Sequence, residues 1–270
     1  MNSSGDPAGE VSGEAKRAAA KAGDHPVVEW GARLGYGASG VLHLLLAYLT
    51  ARIALGSGGG QEASQSGALA TLAQEPVGQV LLWVIAVGFT LLALWQLTEL
   101  ITRHEASDKA KAAGKLVLYS ALAWMSFTFA SGGSTSSNKQ TKEFTASLME
   151  APGGRVLVGL VGVAVIGIAA YHVHKGWRER FLADLQEHPG RWVVLIAKVG
   201  YIGKGIALAA VGVLFITAAI QQRAGKATGL DGGLRSMRDL PAGTVILLGI
   251  ALGLAAYGVY SFARARYARV

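Results

Sequence analysis

The chain of 270 residues contains no cysteine and only 16% charged residues, and each shortage closes off chemistry. Without thiols there is no disulfide, thiolate metal site, iron–sulfur cluster or covalently attached haem, and the redox compartment cannot be read. Acidic residues are scarce as well, 17 against 25 lysines and arginines. No paired carboxylates, nucleophile–base constellation or phosphate-cradling loop is visible, so the chain is not expected to be an enzyme, and no metal or cofactor is expected. Residues 1–26 are Gly, Ala, Ser and charge with no apolar core before a cleavage site. They read as a disordered cytosolic arm, not a secretory signal.

What is abundant is apolar surface. Hydrophobic residues make up 51% of the chain, and the mean hydropathy is positive, too apolar for a soluble domain of this length. They fall in six blocks, about Leu34–Leu55, Val77–Ile101, Lys115–Ala130, Gly154–Val173, Val199–Ile220 and Ala242–Phe262. Each is long enough to cross roughly 30 Å of hydrocarbon at about 1.5 Å per residue. None shows the two-residue alternation of a barrel strand, so the expected fold is all-α, a polytopic membrane protein of six transmembrane helices. The third block is the weakest, because Lys115 opens it and Ser120 and Ser126 interrupt it. No proline lies inside an odd-numbered block, which counts against a carrier that gates by kinking those helices.

Roughly two thirds of the 25 basic residues fall on one side of this arrangement: the N-terminal flank, the second and fourth connections and the tail. Both termini are therefore expected in the cytoplasm, with the protein in the bacterial plasma membrane. The net charge of +8 is spread over short loops and not gathered on one recognition element, so anionic-lipid contact is expected and nucleic-acid binding is not.

The chain repeats itself without gaps. A shift of 76 residues lays Pro76 on Pro152, Gly78 on Gly154, Ala93 on Ala169 and Trp95 on Tyr171; a shift of 165 lays Gly35-Tyr36 on Gly200-Tyr201, Gly40 on Gly205, Pro76 on Pro241 and Gly78 on Gly243. Three two-helix units follow, at 27–107, 108–190 and 191–270, and a pseudo-threefold arrangement is expected. Each unit has an external loop and a short semi-apolar stretch ending in proline. Pro76, Pro152 and Pro241 are read as starts of the returning helices, and the stretch before each as a short amphipathic helix along the outer surface.

Three segments carry a family resemblance: Arg33-Leu34-Gly35-Tyr36-Gly37-Ala38-Ser39-Gly40-Val41, Ala70-Thr71-Leu72-Ala73-Gln74-Glu75-Pro76-Val77-Gly78, and the tail from Ala256 to Tyr267. From about Trp30 to Arg269 the chain resembles the bacterial, largely actinobacterial, membrane proteins grouped as domain of unknown function 1206. The resemblance implies six helices in three repeats and no established activity, so it transfers no functional residue. The second unit departs from the pattern: Lys111-Ala112 replaces the Gly-Tyr pair.

Polar residues within spans are costly and so become candidates. Ser39, Lys115 and Lys204 share one repeat position, and Glu99, Lys175 and Arg264 share a second. With Arg33, the four cations Lys115, Lys204, Lys175 and Arg264 are candidate lipid- or anion-binding residues, either snorkelling to head groups or lining a phosphate pocket open to the cytoplasm. Glu99 is an interfacial partner of a cation or a gating carboxylate. His43, whose repeat mates are Tyr119 and Leu208, is expected to be buried and hydrogen-bonded to a neighbouring helix. His172 and His174 point to different faces, which argues against a two-histidine metal clamp. Gly31 with Gly35, and Gly249 with Gly253, have close-packing spacing.

Two function classes fit. The first is an accessory or scaffolding subunit of a larger membrane complex, binding lipid at its basic face. The alternative is a small-solute or ion transporter or channel whose cytoplasm-facing vestibule is built around Lys115, Lys204, Glu99 and His172.

Overall fold

A computed structural model of the chain describes residues 26–57, 59–102 and 105–268, so residues 1–25 of the expected N-terminal arm lie outside the described residues. Its regular elements are helices: α1 (Pro26–Ala54), α2 (Gln65–Ala73), α3 (Gly78–Thr102), α4 (Ala106–Ala130), α5 (Ser137–Glu150), α6 (Gly154–Trp177), α7 (Arg191–Gln221), α8 (Gly229–Arg238) and α9 (Gly243–Tyr267). Short 3-10 turns follow α6 and α7, at Arg180–Asp184 and Ala224–Lys226.

Five of the long helices, α1, α3, α6, α7 and α9, are long and apolar enough to cross a membrane. α4 has the length, but Asp108, Lys109, Lys111 and Lys115 crowd its proximal part. Many apolar side chains face outward, among them Val80, Val117, Trp124, Val163 and Leu252, each more than half exposed. A surface this apolar suits lipid and not water.

Neighbouring long helices run antiparallel. Gly31 meets Leu91 and Gly35 meets Leu92, Gly40 lies against Phe262 and Gly258, and Gly162 and Gly205 join α6 to α7. The order of neighbours is α4, α3, α1, α9, α7, α6. Each long helix thus packs on those before and after it in the chain, with α9 closing back on α1, except that α4 and α6 form no packed seam among the described residues. The bundle is a horseshoe with its gap inside the second repeat.

The three short helices cap the end where α1 finishes, called distal here. The opposite end, where α1 starts and α9 stops, is proximal. The short helices bury one face on the bundle: Ala68 and Leu69 of α2 and Leu234 of α8 are fully buried. Each connects to its long helix by a tight turn. The proline sits two residues ahead of the first helical residue, in the turn and not in the helix, and the next glycine makes the turn possible. A Cβ on Gly78, Gly154 or Gly243 would strike the carbonyl oxygen of Leu72, Leu148 or Met237 at 1.7, 1.7 and 2.3 Å.

Ionic and hydroxyl contacts tie the cap together across repeats. Glu62 accepts hydrogen bonds from Ser64 and Ser66 of its own repeat and from Ser136 of the second. Asp231 of the third repeat accepts from the Ala63 backbone N–H at 2.8 Å, from Asn138 at 2.9 Å and from Arg235 at 3.0 Å. A buried carboxylate held by donors from all three repeats anchors them to one another.

Candidate functional site

The apolar core lies between α1, α3 and α9, where Leu42, Leu46, Phe89, Leu92 and Leu254 are all buried. Toward the proximal end packing gives way to a cavity of about 450 Å³. Its walls come from α3, α4, α6, α7, α9 and the 3-10 turn after α6.

The two shared repeat positions meet in it. Lys115 and Lys204 from the first, and Glu99, Lys175 and Arg264 from the second, all line this cavity, together with His172 and Tyr119. Seven of the sequence candidates therefore face one space. The repeat spacing explains part of this: positions one internal period apart occupy corresponding heights on their helices, although Ser39, the first-repeat mate of Lys115 and Lys204, does not line the cavity.

Two candidates lie elsewhere. Arg33 donates to the Arg266 carbonyl at 2.8 Å and lines an outward-facing groove between α1, α3 and α9. His43 does not reach a neighbouring helix for its hydrogen bond. Its Nδ1 lies 2.7 Å from the Ser39 carbonyl oxygen, one turn back on the same helix. Its ring packs 4.6 Å from that of Tyr257, so the contact across helices is aromatic, not polar. Of the glycine pairs, Gly31, Gly35 and Gly253 sit at crossings, while Gly249 faces open space.

Charges in the cavity are unevenly matched. Lys175 pairs with Asp184 at 2.6 Å and Lys111 with Asp108 at 2.9 Å. The Asp108 carboxylate holds the Lys111 ammonium above the ordinary lysine value, although the pair is solvent-exposed and worth about 0 to 1 kcal/mol. Lys204 has turned to the face of Tyr257, 4.0 Å from the ring centre, and Arg264 lies over Tyr36 at 4.2 Å. Among the described residues no carboxylate comes within ion-pair distance of Lys115, Lys204 or Arg264. Aromatic faces stabilise a cation but do not neutralise it.

Tyr201 organises this floor. Its ring lies 5.2 Å from Tyr257, 5.6 Å from Tyr260, 5.5 Å from Phe181 and 5.9 Å from His172. Phe181 and Leu185 pull the segment after α6 back under the bundle, where Gln186 N–H bonds the Tyr267 carbonyl, and this delivers Asp184 to Lys175.

Residues the sequence reading passed over also line the cavity: Asp184, Lys111, Tyr201, Tyr257 and Gln96. Gln96 left a detectable signal, since the same offsets place it on His172 and Ser261, a third polar repeat position. Gln96 is 2% exposed, and its Nε2 has no hydrogen-bond partner; nor does the buried Nε of Arg264. Asp184 left none, because it lies in the 3-10 turn after α6, beyond the helices that align between the units.

The family model described as Domain of Unknown Function (DUF1206) matches residues 34–103, 110–179 and 199–268, segments that start at the same 76- and 165-residue offsets. The chain is similar to the uncharacterized protein YxxB of Bacillus subtilis (strain 168), with 29% identity over 249 residues that cover 87% of this chain and 89% of that protein. No solved structure matches.

Proposed function

The chain belongs to the DUF1206 family, and from that footing we propose that it is a six-span membrane protein that binds a small anionic solute in the proximal cavity and moves it across the bilayer. In this reading α4 is the sixth span, the three units surround a pseudo-threefold axis, and the proximal end faces the bacterial cytoplasm. The excess of basic residues at that end supports the orientation. In this reading the distal cap closes the other side and the cavity opens to the proximal compartment.

The observation that carries the proposal is the gathering of Lys115, Lys204 and Arg264 around one cavity in which, among the described residues, none of the three is within ion-pair distance of a carboxylate, the lining holding five cations against Glu99, Asp108 and Asp184. A cation in a membrane span costs on the order of 2.5 to 3.5 kcal/mol even on insertion scales. Three in one cavity also repel one another, and an anion at their centre offsets both terms. The cavity volume of about 450 Å³ falls within the range that holds small ligands.

This geometry moves the solute reading ahead of the accessory one. The accessory reading keeps one support, the gap between α4 and α6, which has room for a partner's helix.

The test is calorimetric titration of the purified protein with inorganic phosphate, followed by flux in proteoliposomes. Lys204→Ala and Lys115→Ala are each expected to weaken binding about tenfold, the loss of one charge-assisted contact. Wild-type protein that binds neither phosphate nor small carboxylates, with both variants indistinguishable from it, overturns the proposal.

A further inference from the structure

The gap in the horseshoe has a local cause. In the first repeat the outgoing and returning helices cross at Gly35, where an added Cβ would lie 2.2 Å from Leu92 Cδ1 and 2.7 Å from the Gly88 carbonyl oxygen. In the third repeat they cross at Gly200 and Gly203, where a Cβ would lie 2.6 Å from Tyr257 Cα and 2.5 Å from Gly253 Cα respectively. The second repeat has Lys111 where the others have Gly35 and Gly200, and Ala164 where the others have Gly88 and Gly253. Gly114, the mate of Gly203, meets nothing within 4 Å. The crossing that closes the first and third repeats is missing from the second, and Lys111 lines the cavity instead.

The cavity therefore lies beside the unsealed gap between α4 and α6. Leu118 of α4 lines it and is half exposed. On α6, Leu157, Ala164 and Ile168 follow the three- and four-residue spacing that leads to the cavity-lining His172 and Lys175, so they form one stripe along the gap. Leu157 is 44% and Ile168 50% exposed. Apolar faces flanking the gap adjoin a chamber with more cations than carboxylates, and the cavity-lining residues Gln96 and Arg264 each hold a buried nitrogen without a hydrogen-bond partner.

We infer that the ligand is an anionic amphiphile that enters from the bilayer between α4 and α6, its phosphate or carboxylate head on Lys115, Lys204 and Arg264 and its acyl chain in the gap. This rests on the anion-binding reading above and narrows the substrate to a lipid or lipid-derived anion. The occupant follows from continuity: one end of the space demands negative charge and the other demands hydrocarbon, and a free phosphate satisfies only the first.

The two levels are separable by experiment. Full-length protein is reconstituted with phosphatidylglycerol carrying a photoreactive acyl chain, irradiated and mapped by peptide mass spectrometry. Labelling is expected on α4 and α6 peptides around Leu118, Leu157 and Ile168, at about ten times the level on the closed α1–α9 seam, competed by unlabelled lysophosphatidylglycerol. Ala164→Trp with Ile168→Trp, both outside the cavity lining, is expected to abolish labelling and leave phosphate binding intact, whereas Lys204→Ala reduces both. Uniform labelling of all seams, or a partner protein's helix cross-linked in the gap, overturns the amphiphile while phosphate binding persists. Loss of phosphate binding in the wild type overturns the underlying reading as well.

Discussion

Gly203 and Gly114 hold the same repeat position in opposite surroundings, which makes them a controlled pair. At Gly203 an added methyl would run into the Gly253 backbone at 2.5 Å, and backbone cannot swing aside as a side-chain tip can. Gly203→Ala is expected to lower stability in detergent by about 1 to 3 kcal/mol, the usual cost of forcing a methyl into packed structure. Gly114→Ala has space around it, and is expected to be neutral or to gain about 0.5 to 1 kcal/mol from the better helix former. Thermal unfolding of the two variants beside the wild type decides the matter: equal losses would show that both glycines are packed and that the second repeat is closed. The same pair marks where sequence reading stops. The repeat alignment shows that Lys111 replaces a glycine, but whether its two helices then separate depends on distances that only the three-dimensional packing contains.

At the scale of elements, the long helices and their antiparallel order were legible because apolar runs of this length have few alternatives in lipid. The cationic cavity was legible in outline for a different reason. Repeat-equivalent positions stand at corresponding heights on their helices, so Lys115 with Lys204, and Glu99 with Lys175 and Arg264, can be grouped from the sequence. The three short helices of the distal cap were legible from the stretches before Pro76, Pro152 and Pro241, but their interlocking was not. Glu62, Ser136 and Asp231 are distant in sequence and not repeat mates, and nothing in α2, α5 or α8 taken singly announces that they interlock. The cap behaves as a unit because Asp231, with its side chain 5% exposed, serves donors from all three repeats. Asp231→Ala leaves the Ala63 N–H, Asn138 and Arg235 without their acceptor, a loss on the order of 3 kcal/mol for a buried charged partner. Hydrogen exchange is expected to accelerate in α2, α5 and α8 and to leave the cores of α3 and α9 unchanged. Acceleration spread evenly through the long helices would mean instead that the cap is not a separate unit.

For the whole molecule, the placement of the gap decides how it could alternate. The first and third repeats are welded at glycine crossings, and α9 packs on α1 and on α7, so the horseshoe is most compliant where α4 and α6 face each other unsealed. The distal cap spans that gap from above, since α5 joins α4 to α6 and Asn138 within it bonds Asp231. Closing the gap would then narrow the proximal cavity while loading the cap, a linkage between the two ends without any proline kink. Restoring the missing crossing with Lys111→Gly and Ala164→Gly together tests this directly. Because the natural chain lacks cysteine, Leu118→Cys and Leu157→Cys supply the only thiols for a pair of spin labels. The label-to-label distance is expected to be broad and long in the otherwise natural chain and to shorten by about 5 Å or more when both glycines are restored, approaching the 8 to 10 Å axis separation of packed helices. An unchanged distance distribution would place the cause of the gap elsewhere, in the length of the α5 connection, and remove α4 and α6 as the moving pair.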